Sequence, residues 1–222
     1  MDATDPDLPT AWTLVLPIKG GPTAKSRLGG SHALAAALAR DCLAAVLACP
    51  QVRRTVVVTA DDETAAWTAR AGAEVLRESI PGQGLDAAAW DALAVSQGRT
   101  AILLADLPAL RPHDLSAALA AAALHLTDPP APGQVLVPDA DGTGTVLLAA
   151  LDPDRLTPSF GPGSAARHQG AGAVRLDLAL PRLRRDTDTD SDLAEALALG
   201  CGPATLAALA RSASGDPARW LG

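Results

Sequence analysis

The chain has 222 residues, a formal net charge of −7 and 48% hydrophobic residues, of which few are aromatic. This length allows one large domain or two small ones, with a core of Leu, Val and Ala side chains. The acidic balance disfavours binding to DNA or RNA, because a nucleic-acid interface needs a basic face. The dense basic patch Arg182, Arg184 and Arg185 is followed at once by acidic residues.

The cysteines and the amino terminus indicate a cytoplasmic protein with no membrane partner. Cys42, Cys49 and Cys201 have no metal-type spacing, and an odd count without a framework is typical of a reducing compartment. The amino terminus is acidic and contains proline, unlike a secretory signal. We predict a disordered leader over residues 1–11, a single domain over 12–212 and a tail over 213–222.

Apolar runs alternate with helical segments through the first half of the chain. Runs bounded by turn residues predict buried strands, in chain order at residues 12–18, 55–59, 73–77, 101–104, 135–138, 145–151 and 172–178. Helices are predicted at residues 31–49, 61–71, 85–97, 112–126, 192–199 and 203–211, with another opening after residue 163. Such alternation predicts an α/β fold, a three-layer α/β/α sandwich with a mostly parallel sheet. Some antiparallel content is expected after Gly133.

The stretch TAILLADLPAL, residues 100–110, contains the first candidate site residue. Its apolar strand leads into Asp106, and a Leu-Pro pair then ends the strand. Ligands of open α/β sheets bind at the carboxyl ends of the strands. Asp106 is therefore a candidate for a metal–phosphate site.

The loop KGGPTAKSRLGG after the first strand is a candidate phosphate site. Lys19, Gly20, Lys25 and Arg27 would supply backbone amides and positive charge. The loop is not a Walker A motif, because Ala24 and Lys19 occupy the positions that need glycine. A solvated basic turn is the alternative interpretation.

Two further glycine-rich loops open helices. Gly82 and Gly84, followed by Leu85, superficially match a dinucleotide fingerprint, but Pro81 rather than a strand precedes them. That loop either encloses a nucleobase or is a mobile helix start. Gly161 and Ser164, in GPGS, could form a small anion pocket together with Thr145 on the returning strand. An ordinary N-cap by Ser164 is the alternative.

A second acidic group lies near the carboxyl terminus. In an extended segment, the alternation of side chains puts Asp186 and Asp188 on the same side. With Asp106 they would suit Mg²⁺, which prefers a few carboxylates together with phosphate and water. Capping of the next helix by Asp190, Ser191 or Asp192 is the competing explanation for the acidic run.

The four histidines lack any nucleophile or metal spacing to Cys or Ser. They are expected to be surface or structural residues: His32, His113, His125 and His168.

The motifs LPIKGGPTAKSRL, ADLP, GTGT, FGPGSAARH and RRDTDTDSDL occur in the order of one family. Over residues 12–211 the chain resembles the phosphoenolpyruvate/2-phospho-L-lactate guanylyltransferases of coenzyme F-420 biosynthesis. These are related to molybdenum-cofactor guanylyltransferases and have a Rossmann-like sheet of the nucleotide-diphospho-sugar transferase type.

The resemblance implies a role for each candidate group. The loop from Lys19 to Arg27 would clamp the triphosphate, with Lys19, Gly20 and Lys25 binding the nucleotide. The resemblance further implies that Gly82, Gly84 and Leu85 belong to a guanine–ribose loop. It also implies that Mg²⁺ is bound by Asp106, Asp186 and Asp188, and that the acceptor pocket is formed by Thr145, Gly161 and Ser164. The catalytic residues would be Lys19, Lys25, Arg27 and Asp106. Asp86 and Val146 occupy positions where Asn is expected in the family. These two departures affect local hydrogen bonds to the nucleotide and the acceptor, and they leave the predicted class of enzyme unchanged.

The resemblance also implies the reaction: GMP passes from GTP to phosphoenolpyruvate and pyrophosphate leaves. The alternatives are 2-phospho-L-lactate as the acceptor, a molybdopterin or sugar-phosphate nucleotidyltransferase, and a non-catalytic nucleotide-binding regulator. GTP and a small phospho-acid are the expected partners, and the expected state is a monomer or a homodimer.

Overall fold

The computed structural model describes residues 11–20 and 32–215, with side chains described as far as residue 212. The strands are β1 Trp12–Pro17, β2 Val52–Thr59, β3 Glu74–Arg77, β4 Thr100–Leu103, β5 Val135–Pro138, β6 Thr145–Ala150 and β7 Val174–Arg175. The helices are α1 His32–Leu47, α2 Asp62–Ala71, α3 Leu85–Leu93, α4 Pro112–Thr127, α5 Ser164–Gly170, α6 Pro181–Arg184, α7 Asp190–Leu199 and α8 Pro203–Gly215. The predicted leader lies almost wholly outside the described residues, and the predicted tail lies partly outside them.

The described strands form one sheet in the order β3-β2-β1-β4-β6-β5-β7. Strands β1 to β4 are parallel, β6 is antiparallel to both β4 and β5, and β7 is parallel to β5. The chain winds outward from β1 to β3 and then crosses to β4 on the other side of β1. This reversal creates a switch point between β1 and β4, where open α/β sheets bind ligands.

The two faces of the sheet carry separate apolar clusters. Leu14 and Leu16 of β1 pack in one cluster with helix α1 and helix α4, whereas Val15 packs in the other with helix α3. Strands covered on both faces have continuous apolar sequences, which is why they could be identified so directly. The predicted three-layer α/β/α architecture is confirmed.

The structure differs from the sequence prediction at several element boundaries. Helix α3 ends at Leu93 instead of continuing to residue 97, because the chain tightens into turns there and Arg54 donates to the carbonyl of Val95. Strand β7 has only two residues, and α6 was not predicted. None of the described helices combines the length and apolar character that a bilayer crossing requires.

The carboxyl-terminal helix α8 is attached to α1 by a buried carboxylate. Asp41 accepts hydrogen bonds from the backbone amides of Ala204 at 3.0 Å and Thr205 at 2.8 Å. These amides belong to the first turn of α8, whose N–H groups have no partner within the helix. Asp41 therefore caps a helix that begins 162 residues later in the chain.

We expect Asp41→Ala to lower the free energy of unfolding by about 1–2 kcal/mol, the usual loss on removing a helix cap. Urea denaturation measures this change. Asp154→Ala, at an exposed position, is the control and should change stability by less than about 0.5 kcal/mol. Equal effects of the two substitutions would contradict the capping role.

Candidate functional site

The direction of the strands brings the candidate residues to one edge of the sheet. Lys19 follows the carboxyl end of β1, and Asp106 follows the carboxyl end of β4. Because β6 is antiparallel to β4, its first residue, Thr145, lies at this same edge. The residues thus meet beside the topological switch point, although they are far apart in the chain.

Two neighbouring pockets open at this edge. The first, of about 320 Å³, is lined by Pro17, Ile18, Lys19, Ala35, Ala39, Leu85, Leu104, Ala105, Asp106, Phe160, Gly161, Asp186 and Asp188. The second, of about 480 Å³, is lined by Leu104, Asp139, Asp141, Thr143, Gly144, Thr145, Gly161, Pro162, Ser164, Asp186, Asp188, Thr189 and Asp192. Leu104, Gly161, Asp186 and Asp188 line both, so the two pockets share a wall.

Asp186 and Asp188 project to the same side, as the alternation of side chains predicted. Thr187 between them is fully buried, whereas Asp188 is exposed. The segment is held in place from its amino-terminal side. Arg184 donates through Nη2 to the backbone carbonyl of Asp139 at 2.9 Å, and the Ala140 amide donates to the Arg184 carbonyl at 2.7 Å.

The basic patch seen in the sequence is therefore part of the framework of the site. Arg182 donates to the carbonyl of Leu199 at 3.0 Å. Arg185, whose side chain is 12% exposed, forms ion pairs with Asp192 at 3.3 Å and Glu195 at 2.7 Å. These contacts anchor α7 next to the acidic segment.

Helix α7 is capped one residue earlier than predicted. Its N-cap is Thr189, which forms a capping box with Asp192. Burial by itself raises the pKa of Asp192, but hydrogen bonds from Thr189 and Asp188 and the charge of Arg185 lower it overall. These contacts hold Asp192 in the wall of the second pocket. The capping box explains the position of Asp192, and Asp186 is not part of that box.

The predicted Mg²⁺ would need oxygen ligands that lie close together. Asp106, Asp186 and Asp188 all line the first pocket and offer only oxygen ligands. However, no three Asp, Glu, His or Cys side chains among the described residues are grouped closely enough to hold an ion by themselves. Mg²⁺ commonly takes one or two carboxylates and completes its shell with phosphates and water. The donors therefore fit an ion that substrate phosphates would share, and the three-aspartate site stays a prediction.

Arg167 organises the loop over residues 159–163. Its guanidinium donates to the carbonyl oxygens of Ser159 at 2.9 Å, Phe160 at 2.8 Å and Pro162 at 2.6 Å. In a planar trans peptide the carbonyl and the next amide point in opposite directions. The amide of Gly161 is consequently directed away from Arg167.

The loop is also joined to the start of helix α3. Asp86 accepts a hydrogen bond from the Phe160 amide at 2.7 Å. Asp86 directly follows Leu85, and both Leu85 and Phe160 line the first pocket. Asp86, one of the two residues at which the chain departs from the expected family pattern, therefore links two walls of this pocket.

Ser164 is the first residue of α5, and the alternative that it caps this helix is wrong. The N-cap is Gly163, and no side-chain capping bond is present. Ser164 is 1% exposed and lines the second pocket. One helical turn later, His168 is fully buried.

His168 connects strand β6 to the loop over residues 159–163. Its Nδ1 lies 2.9 Å from Oγ1 of Thr145, and its Nε2 accepts from the Ser159 amide at 3.0 Å. Burial lowers the pKa of His168; the charge of Asp86 opposes this shift, and that of Arg167 adds to it. Sequence reasoning assigned the histidines no site role, although the four-residue spacing of Ser164 and His168 on one helix was a usable signal.

Several predicted site residues lie away from the two pockets. Gly20 lines neither; its glycine is required because a Cβ there would overlap the side chain of Asp61. Gly82 and Gly84 are exposed, line neither pocket and have positive φ angles. Lys25 and Arg27 lie outside the described residues.

Comparisons with known proteins show the family and the fold of the chain. The family model described as the MobA-like NTP transferase domain matches residues 21–179. A protein of Salinispora arenicola named phosphoenolpyruvate guanylyltransferase is 49% identical, over 87% of this chain and 91% of its own. One of Geodermatophilus obscurus with the same name is 45% identical, over 91% and 96%. A crystal structure from Desulfovibrio desulfuricans, named as a nucleotide-diphospho-sugar transferase, has the same fold with a TM-score of 0.53 and 17% identity, covering 85% of this chain and 96% of that one.

The buried His168 predicts an acid-dependent loss of stability. Its pKa is lowered in the folded chain, so the unfolded chain takes up a proton first as the pH falls through about 6.5. From there down to the folded pKa, the free energy of unfolding should fall by at most about 1.4 kcal/mol per pH unit from this residue.

Urea denaturation between pH 7 and pH 5 tests this expectation. His168→Asn should remove that part of the slope, whereas His113→Asn, at an exposed position, should retain it. An unchanged slope in the His168 variant would contradict a neutral buried imidazole.

Proposed function

We propose that this chain, which belongs to the MobA-like NTP transferase family and within it to the phosphoenolpyruvate guanylyltransferases, transfers GMP from GTP to phosphoenolpyruvate. The products are enolpyruvyl-diphospho-guanosine and pyrophosphate, and the reaction belongs to coenzyme F-420 biosynthesis. The first pocket binds GTP, and the second binds the acceptor.

The observation that carries this proposal is the wall shared by the two pockets. Gly161, Asp186 and Asp188 line both, so a molecule in each pocket would meet its neighbour at these residues. A transferase needs such an arrangement, because holding two reactants in contact makes their reaction effectively unimolecular. A nucleotide-binding regulator would not need the second pocket.

The proposed chemistry requires no strong general base. A phosphate oxygen of the acceptor, already an anion, attacks the α-phosphorus of GTP. A new P–O bond forms, the bond from the α-phosphorus to the bridging oxygen breaks, and pyrophosphate leaves with that electron pair. Catalysis then consists of positioning and charge neutralisation, as in phosphoryl transfer generally.

The residues around the pockets suit these tasks. Lys19 is exposed at the end of β1 and lines the first pocket, where its charge would stabilise the leaving pyrophosphate together with Lys25 and Arg27. The Thr145 and Ser164 hydroxyls line the second pocket and would hold the acceptor carboxylate with the Gly161 amide. Bound Mg²⁺ on Asp106, Asp186 and Asp188 would supply charge neutralisation for the phosphates.

The second pocket contains too many carboxylates to receive an anion without compensation. Five aspartates line it. Asp139 accepts from the Thr143 and Gly144 amides, Asp192 belongs to the α7 cap, and Asp141 lies 3.5 Å from Arg185. Asp186 and Asp188 line both pockets, so a cation bound there would offset negative charge at the point where the two substrates meet.

The proposed enzyme works in the cytoplasm. All three cysteines are free and buried, as expected of a protein from a reducing compartment.

The second candidate acceptor, 2-phospho-L-lactate, differs from phosphoenolpyruvate by two hydrogens and would fit the same donors.

Pyrophosphate release from GTP, measured with each acceptor separately, tests the proposed reaction. We expect Mg²⁺-dependent release with phosphoenolpyruvate and slower release with 2-phospho-L-lactate, molybdopterin or a sugar phosphate. CTP and ATP should replace GTP poorly. GTP binding without release for any acceptor would contradict the proposal and favour a regulator.

Asp188→Ala should reduce Mg²⁺-dependent pyrophosphate release by about a hundredfold or more, the usual effect of removing one group that stabilises transferred charge. The thermal unfolding midpoint should stay close to that of the unmodified chain, because Asp188 is exposed. Asp190→Ala is the matched control, since Asp190 is exposed nearby and lines neither pocket. Turnover that is equal in the two variants would remove Asp188 from the metal site.

A further inference from the structure

The hydrogen bonds of His168 determine which way each proton points. The backbone amide of Ser159 can only donate, and it donates to Nε2 of His168 at 3.0 Å. The ring is fully buried, and burial lowers its pKa, which favours the neutral form. A neutral imidazole that accepts at Nε2 carries its proton on Nδ1.

The position of the proton on His168 also determines the direction of the Thr145 hydroxyl. Nδ1 lies 2.9 Å from Oγ1 of Thr145, so its proton is donated to that oxygen. A hydroxyl that accepts from an N–H directs its own proton elsewhere. Thr145 lines the second pocket, which also contains Ser164 and Gly161.

We propose that His168 is a positioning residue of the second pocket, which orients the Thr145 hydroxyl as a hydrogen-bond donor toward an anionic oxygen of the acceptor. This inference rests on the proposed function of that pocket. It also gives the pocket a chemical preference. A carboxylate can accept from the oriented hydroxyl, whereas a group that offers only N–H donors opposes it.

The packing around His168 supports a role in orientation. Phe160 contacts the ring edge to face, with centroids 5.1 Å apart and an interplanar angle of 72°. Asp86 binds the amide of the same Phe160, and Arg167 holds the carbonyl of Ser159. The imidazole is therefore restrained at both of its nitrogens and by the ring of Phe160, so the hydroxyl that it contacts has a defined direction.

A double-mutant cycle tests whether His168 acts through Thr145. We expect Thr145→Val to raise the acceptor KM about tenfold, the loss of one hydrogen bond, with the KM for GTP changed less than about twofold. His168→Leu should do the same in the unmodified chain. In the Thr145→Val background it should add less than about twofold, because coupled residues are not additive.

His168→Asn provides the rescue. Its amide nitrogen can occupy the position of Nδ1 and donate to Thr145, so its acceptor KM should remain within about threefold of the unmodified value. His113→Asn, at the exposed end of α4, is the matched control and should leave both KM values unchanged. An Asn variant as impaired as the Leu variant would overturn the inference.

Nitrogen-15 NMR of the full chain reads the proton positions without relying on turnover. The expected result is a neutral His168 ring protonated on Nδ1, and a ring protonated on Nε2 would overturn the proposal. If Thr145→Val raises the acceptor KM and His168→Leu does not, the His168 inference alone fails. If neither substitution changes it, the acceptor pocket of the proposed function fails too.

Discussion

The reversed direction of β6 is the constraint on which the site depends. A parallel strand at this place would put Thr145 at the opposite edge of the sheet, away from Asp106. Because β6 pairs antiparallel with β4, with Leu147 opposite Leu103, its first residue meets the ends of the parallel strands. One strand direction thus adds a second pocket beside the switch point of an ordinary α/β sheet.

Arginine side chains hold the walls of this acidic site in place through hydrogen bonds and ion pairs. Arg167 and Arg184 donate chiefly to backbone carbonyls, and Arg185 pairs with carboxylates of α7 and its surroundings. Hydrogen bonds from charged donors contribute about 1.5–3 kcal/mol each. They also direct peptide planes, which places the Gly161 amide on the side of the loop away from Arg167. The positive charge of these residues therefore shapes the site through contacts within the protein.

Sequence reasoning was most successful where the determinant was local. The apolar runs identified the strands, the alternation within Asp186-Thr187-Asp188 placed both carboxylates together, and Pro112 correctly began α4. Glycines gave no such local answer, and the nucleotide role of the loop with Gly82 and Gly84 stays a prediction. Gly82 and Gly84 have positive φ angles, a backbone conformation that glycine adopts readily. A sequence pattern cannot distinguish this conformational requirement from nucleotide binding.

The sequence by itself determined the layers, the strands and the edge at which carboxylates and glycine-rich loops would gather. These follow from runs of neighbouring residues, whose burial and turn preferences act over a few positions. Only the tertiary structure decided that Asp86 binds Phe160, that the arginine patch faces inward and that His168 contacts Thr145. Each of these contacts joins side chains or backbone groups that are distant in the chain, and their meeting depends on strand order and direction rather than on local sequence.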